Sequence, residues 1–162
     1  MVDGGKKLIV HEMHSYLETR IATFVMNLHL RPKTLYFSRH GQSLYNVEDR
    51  VGGDSSLSPE GRLYAESLKK FVLNKIEDHD NIKVWTSTLQ RTQETAKPLG
   101  KISKEWKSLD EINAGLCDGL TYEEIKHKYP DIASARQADK LRYRYPQGES
   151  YEDVIERLEP II

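Results

Sequence analysis

The sequence predicts an α/β fold, a mostly parallel sheet covered by helices on both faces. Short apolar runs of strand length alternate with stretches of helical periodicity, which is the pattern of βαβ units. Ser, Thr and Pro stand where helices should begin. The motif Arg39-His40-Gly41-Gln42-Ser43 closes the apolar run Thr34-Leu35-Tyr36-Phe37-Ser38, and open parallel sheets place their ligand crevice beyond such strand ends. The supply of strands is short for a complete sheet.

Each element has a local reason. Residues 6–10 suit a short strand, and Ser15-x-x-Glu18 then forms a capping box. Leu17, Ile21, Phe24, Val25 and Leu28 make one helical stripe that needs a partner. Pro32 disfavours helix at Arg31, so a segment boundary falls at residues 29–33. Residues 34–38 then read as a buried strand. Ser58-Pro59 supplies an N-cap hydroxyl and a first-turn proline for a helix whose apolar face is Tyr64, Leu68, Val72 and Ile76, widened by Ala65 and Phe71. A second strand follows at 82–86. Ser87-x-x-Gln90 reads as another capping box for a helix through about Ala96, which puts Arg91 in a first turn, where amides and dipole already favour an anion.

Residues 109–112 read as a short edge, and 113–120 as a loop. Thr121-x-x-Glu124 caps a short helix that stops by Pro130, residues 132–140 continue as helix, and Ser150-x-x-Asp153 opens the last one. Pro160-Ile161-Ile162 offers no C-cap glycine and no polar tail, so the expectation is a chain cut inside a longer protein.

Composition narrows the function. A chain of 162 residues favours one core, perhaps with an appendage. A net charge of −1 gives no global attraction to nucleic acid or anionic membrane, so neither is expected as a partner, and phosphate recognition needs a local cluster of cations. One cysteine, Cys117, excludes an internal disulfide framework and suits a small buried position. With no signal-like segment and no bilayer-length apolar stretch, a cytoplasmic setting is the expectation. His11 and His14 stand close but lack a Cys/His cluster, so no metal site is expected, and Gly4-Gly5-Lys6 lacks P-loop spacing.

The chemistry points to phosphoryl transfer. A neutral imidazole can attack phosphorus, and an adjacent guanidinium both holds phosphate oxygens and disfavours the protonated ring. His40 is the candidate nucleophile, with Arg39, Asn46 and Arg91 as the phosphate clamp and Glu111 as the acid for the leaving oxygen. That acid must keep its proton near neutral pH, through burial or neighbouring phosphate charge. Gly52-Gly53 supplies a loop whose backbone can approach the substrate closely. Arg136, Lys140, Arg142 and Arg144, interleaved with Tyr143 and Tyr145, form a second cationic run, with Tyr122 and Tyr151 as hydroxyl partners. A solvated surface face explains the same run equally well.

Arg-His-Gly-Gln-Ser with Asn46, Val-Gly-Gly-Asp-Ser at 51–55, Leu-Ser-Pro-Glu-Gly at 57–61, Val-Trp-Thr-Ser at 84–87, Arg91-Thr92, Asp-Glu-Ile-Asn-Ala-Gly at 110–115, Thr-Tyr-Glu-Glu at 121–124 and the stretch 143–153 come in one order. Together they resemble the bisphosphatase half of the 6-phosphofructo-2-kinase/fructose-2,6-bisphosphatase family, within the histidine phosphatase superfamily. The resemblance implies a three-layer α/β/α phosphoglycerate mutase-like sheet, incomplete at its C-terminal side. It implies two parts, residues 1–33 as the end of a kinase domain with linker and 34–162 as the N-terminal part of the bisphosphatase domain. The implied reaction hydrolyses fructose 2,6-bisphosphate to fructose 6-phosphate and phosphate through phosphohistidine. His40 matches the phosphorylated residue, Arg39, Asn46 and Arg91 the binders of the 2-phosphate, and Glu111 the proton donor. Gly52, Tyr122, Arg136, Lys140 and Tyr151 match binders of the fructose 6-phosphate portion.

No cofactor or metal is implied for the phosphatase reaction. ATP and Mg belong to the kinase core, which this chain lacks. For a bifunctional parent the resemblance implies a homodimer through the kinase half, while the residues themselves leave oligomeric state open. Gln42 departs from the usual Glu, removing a carboxylate near the nucleophile. The family's second catalytic histidine falls beyond the last helix here, so the chain is expected to be an internal fragment, poorly folded or weakly active alone. A relative acting on another phosphorylated metabolite, a mutase, and a non-catalytic sugar-phosphate binder are the alternative readings.

Overall fold

Side-chain caps start most helices where the sequence puts the cap residues. The computed structural model describes residues 9–27, 34–100 and 102–161, and the chain divides into two units, 1–38 and 39–162. In the first unit, helix α1 (Tyr16–Asn27) opens with the expected box: Ser15 Oγ accepts from the Glu18 amide at 3.2 Å, and Glu18 Oε2 accepts from the Ser15 amide at 3.0 Å. These bonds hold the Glu18 carboxyl below the usual carboxylate range. The stripe behaves differently. Only Ala22 is buried, while Leu17, Ile21 and Phe24 are exposed, because this unit has no second helix or strand among its described residues to cover them. Leu28 and the break at 29–33 lie outside the described residues.

One expected strand is corrected here, and another lies mostly outside the described residues. Residues 6–8 fall outside the described part, and Ile9 and Val10 are exposed and not in a strand. Residues 34–38 form no strand and are exposed, Phe37 at 91%. An apolar run becomes a buried strand only when neighbouring strands take its backbone groups and another layer covers its face.

The second unit carries the α/β character. Helices α2 (Leu44–Val47) and α3 (Pro59–Lys75) precede strand β1 (Trp85–Thr86), α4 (Gln90–Ala96) crosses over, and strand β2 (Lys104–Glu105) returns. The strands are parallel, Trp85 opposite Lys104 and Thr86 opposite Glu105. Helices α5 (Tyr122–Lys128), α6 (Pro130–Ala138) and α7 (Tyr151–Leu158) complete the unit. The expected strand at 82–86 is thus shorter, and 109–112 is no edge: a 3₁₀ turn covers Lys107–Leu109 and coil follows. Reciprocal capping boxes form at Ser43, Thr121 and Ser150, and the Ser58 hydroxyl caps α3 by accepting from Gly61. Ser87 makes no box. Its Oγ accepts from the Leu89 amide at 3.2 Å and meets Thr92 Oγ1 at 2.8 Å, so α4 starts later, at Gln90, with Leu89 as N-cap.

The core sits under α5 and α6, where Ala114, Cys117, Ile125 and Tyr145 are buried against Val51, Ile112, Leu120, Tyr129 and Ile132. Cys117 is fully covered, and burial pushes its thiol pKa up, which suits an inert packing residue. No helix among the described residues is long and apolar enough to cross a membrane.

Candidate active site

Two backbones approach unusually closely beside His40. A Cβ on Gly41 would lie 2.4 Å from the Gly61 carbonyl oxygen, so the turn after His40 needs glycine for proximity to α3. Around it, Ser43 bridges Leu57, and the Ser58 amide donates to the Gln42 carbonyl at 2.8 Å. The Gly41 amide donates to Thr95 Oγ1 at 2.9 Å, and Thr95 in turn donates to the Arg91 carbonyl at 2.7 Å. The turn carrying His40 is therefore fastened to the helix carrying Arg91.

Hydrogen-bond roles define the imidazole. Its Nδ1 lies 2.7 Å from the Gly41 carbonyl, which only accepts, so Nδ1 carries the proton. Arg91 Nε donates to His40 Nε2 at 3.2 Å, which makes Nε2 the lone-pair nitrogen. Burial lowers the His40 pKa below the ordinary histidine value; the Gly41 carbonyl and Glu111 oppose this, whereas Arg91 and Arg39 add to it. The ring is held neutral, with its lone-pair nitrogen facing a guanidinium.

Arg91 is the centre of the site. It is 2% exposed, and its other nitrogens reach the Gly53 carbonyl at 2.7 Å and Glu111 Oε2 at 2.6 Å. Gly53 and its neighbour Gly52 both have φ +66°, a left-handed pair that side chains disfavour, and the Gly53 amide is fixed by Asp118 Oδ1 at 3.0 Å. Glu111 stands in coil with its side chain 53% exposed. The carboxyl is thus open to solvent on one side and held by Arg91 on the other. Glu111 is held from behind, because Arg157 of α7 donates to the carbonyls of Ser108 at 2.5 Å and Asp110 at 2.7 Å.

The other expected residues divide. Arg39 is exposed and lies within electrostatic reach of His40. Asn46 is exposed, and its Oδ1 accepts from the Ser43 amide at 3.0 Å in the α2 cap, which commits the oxygen and leaves Nδ2 as a donor. Tyr122, Arg136 and Lys140 line a separate cleft of about 460 Å³ between α5 and α6, together with Lys126 and Tyr145. The Arg136 guanidinium sits 5.8 Å from the ring centres of both Tyr122 and Tyr145. His40, Arg91 and Glu111 do not line that cleft, and neither does Tyr151, which is exposed.

Gln42 is a further adjustment. Its Oε1 accepts from the Ser58 hydroxyl at 2.7 Å, so this side chain serves the start of α3. Sequence reasoning missed Thr95, Asp118, Glu149 and Arg157. Thr95 had one signal, its i+4 position on the face of Arg91.

The sequence and the fold match a known class. Residues 35–162 fit the family described as histidine phosphatase superfamily (branch 1), and the chain belongs to it. It is 50% identical to a fructose-2,6-bisphosphatase of Saccharomyces cerevisiae, the match covering 100% of this chain and 36% of that protein. It is also 50% identical to a 6-phosphofructo-2-kinase/fructose-2,6-bisphosphatase of Arabidopsis thaliana, covering 100% of this chain and 22% of that protein. The chain thus spans well under half the length of these relatives. Among solved structures, a mycobacterial glucosyl-3-phosphoglycerate phosphatase superposes with a TM-score of 0.64 at 29% identity, covering 75% of this chain and 61% of that one.

Proposed function

We propose that the chain carries the phosphoryl-accepting part of a fructose 2,6-bisphosphatase, with His40 as nucleophile. The observation that carries this reading is Arg91, a buried guanidinium that touches the lone-pair nitrogen of His40 and the carboxylate of Glu111 at once. Half-sequence identity to proteins named for that substrate supports the choice of sugar.

The 2-phosphate enters between His40 and Arg91, which exchanges its bonds to protein acceptors for a fork onto phosphate oxygens, assisted by Arg39 and Asn46 Nδ2. Nε2 of His40 attacks phosphorus, and the bond from phosphorus to the fructose 2-oxygen breaks. Displaced from Arg91, Glu111 now has a negative neighbour in place of a positive one. That favours the protonated carboxyl, which gives its proton to the departing oxygen. Water then attacks the phosphohistidine, Glu111 takes the water's proton, and phosphate leaves. Fructose 6-phosphate is the other product. Tyr122, Arg136 and Lys140 in their cleft, with Gly52 and Tyr151, take the remote sugar phosphate, whose binding energy orients the reacting end. No residue in this scheme requires a metal or a cofactor.

The test is incubation with fructose 2,6-bisphosphate labelled in the 2-phosphate, followed by alkaline denaturing quench. Label on His40, absent in His40→Ala, is the expected result. Label retained in His40→Ala refutes the nucleophile. Equal labelling from unrelated phosphate esters refutes the substrate.

A further inference from the structure

We propose that Glu149 and Arg157 form a positioning device that aims Glu111 at the leaving oxygen. The inference rests on Glu111 being the acid, as proposed above. Glu111 lies in coil with more than half its side chain exposed, and the one bond on its carboxyl, from Arg91 at 2.6 Å, is the bond given up to phosphate in the reaction proposed above. Its backbone is fixed instead. Arg157, in the last turn of α7, reaches the carbonyls of Ser108 and Asp110 and, at 3.3 Å, that of Glu111 itself. The same guanidinium is paired with Glu149 through two nitrogens, at 2.8 and 3.1 Å. Glu149 Oε2 then accepts from the Asn113 amide at 2.9 Å.

The segment 108–113 is thus held from one side at three carbonyls and one amide, with the acid in the middle. Neither residue bonds to His40 or Arg91. Both partners are mostly buried, with side chains 21% and 25% exposed, so the pair is a firmer anchor than a surface bridge. Arginine is required for the geometry. A lysine could keep the charge opposite Glu149 but could not also fork into carbonyls two residues apart.

The consequence is specific to the bond that breaks. A displaced acid hurts a substrate whose leaving oxygen needs a proton and spares one whose leaving group departs as a stable anion. Phosphohistidine formation is therefore measured in single turnover on the full chain with fructose 2,6-bisphosphate and with 4-nitrophenyl phosphate. Arg157→Lys and Glu149→Gln are expected to slow the sugar substrate about tenfold to a hundredfold, the size of a misplacement near 1 Å, and the nitrophenyl ester less than about threefold. Arg157→Ala should do the same. If it fails to fold, Arg157→Lys and Glu149→Gln decide.

Glu111→Gln separates the two levels. If Glu111→Gln slows both substrates equally, the acid assignment fails. If Glu111→Gln discriminates between them but Arg157→Lys and Glu149→Gln slow both equally, the pair is only structural and the positioning inference is overturned.

Discussion

Replacing Arg91 by lysine removes the fork and keeps the charge, and it isolates what the site geometry is for. Three nitrogens of Arg91 serve three acceptors, His40 Nε2, the Gly53 carbonyl and Glu111. One ammonium cannot span them. In the resting protein the loss is modest: Glu111 is 53% exposed and water replaces its partner, leaving mainly the Gly53 carbonyl, about 1–2 kcal/mol of stability. In the reacting complex the missing interaction is one of two charge-assisted bonds to phosphate oxygens, worth about 1.5–3 kcal/mol. The expected fall in the rate of phosphohistidine formation is therefore roughly tenfold to 150-fold. Rapid alkaline quench measures that rate, and denaturant unfolding measures the stability. A rate within about threefold of the parent would mean that Arg91 acts only as a point charge, and the fork would be wrong. A stability loss large enough to unfold the chain would make Arg91 a structural keystone first, contrary to the solvent access of Glu111.

The remaining predictions touch neighbouring groups. Because burial, aided by Arg91 and Arg39, holds the His40 pKa below its ordinary value, the acid limb of phosphohistidine formation should fall below pH of about 6.5, and Arg39→Ala should move it upward; a pH profile with the limb unmoved counts against Arg39 as a contributor. The same shift has a stability sign. Between the folded and unfolded pKa values the unfolded chain binds more protons, so stability falls as pH drops from about 6.5 toward the folded value, and His40→Ala should flatten that slope in denaturant titrations. Gly41→Ala sets a Cβ 2.4 Å from a backbone oxygen that cannot swing aside, and should cost about 3 kcal/mol by urea unfolding; an unchanged midpoint would show that α3 gives way. Gln42→Glu should leave the acid limb in place, since the side chain is bonded to Ser58, and a limb displaced to higher pH would place that carboxylate near His40 instead.

What could be read in the sequence was mostly what is local. The boxes at Ser15, Ser43, Thr121 and Ser150 each close within three residues, so neighbours alone determine them, although only the Ser15, Thr121 and Ser150 boxes stood out in advance. Ser87 misled because its hydroxyl had two local choices and took Leu89 and Thr92. The α/β class was legible from alternation, and the parallel pair β1 and β2 bears it out. Strand pairing was not. The run 34–38 has strand composition, yet composition cannot supply the neighbouring ladder or the covering layer, and the run stays exposed. His40 and Arg91 could be named from motif and helix start, but their contact spans 51 positions and no spacing rule contains it.

The site's two halves are held by different means, and this explains which positions escaped the sequence. The proposed bond-making half is locked by α4, where Arg91 and Thr95 lie one turn apart and grip the His40 turn from two directions. The proposed leaving-group half depends on the start and end of α7, where Glu149 just before the helix and Arg157 in its last turn hold the backbone around Glu111 and bond to neither His40 nor Arg91. A charge-bearing motif advertises the first half, because chemistry demands those residue types beside phosphorus. Only a backbone position is demanded of the second, and any helix carrying a forked cation could meet it. Substitutions on α4 should therefore change how phosphate is held, and those on α7 should change how the alcohol departs.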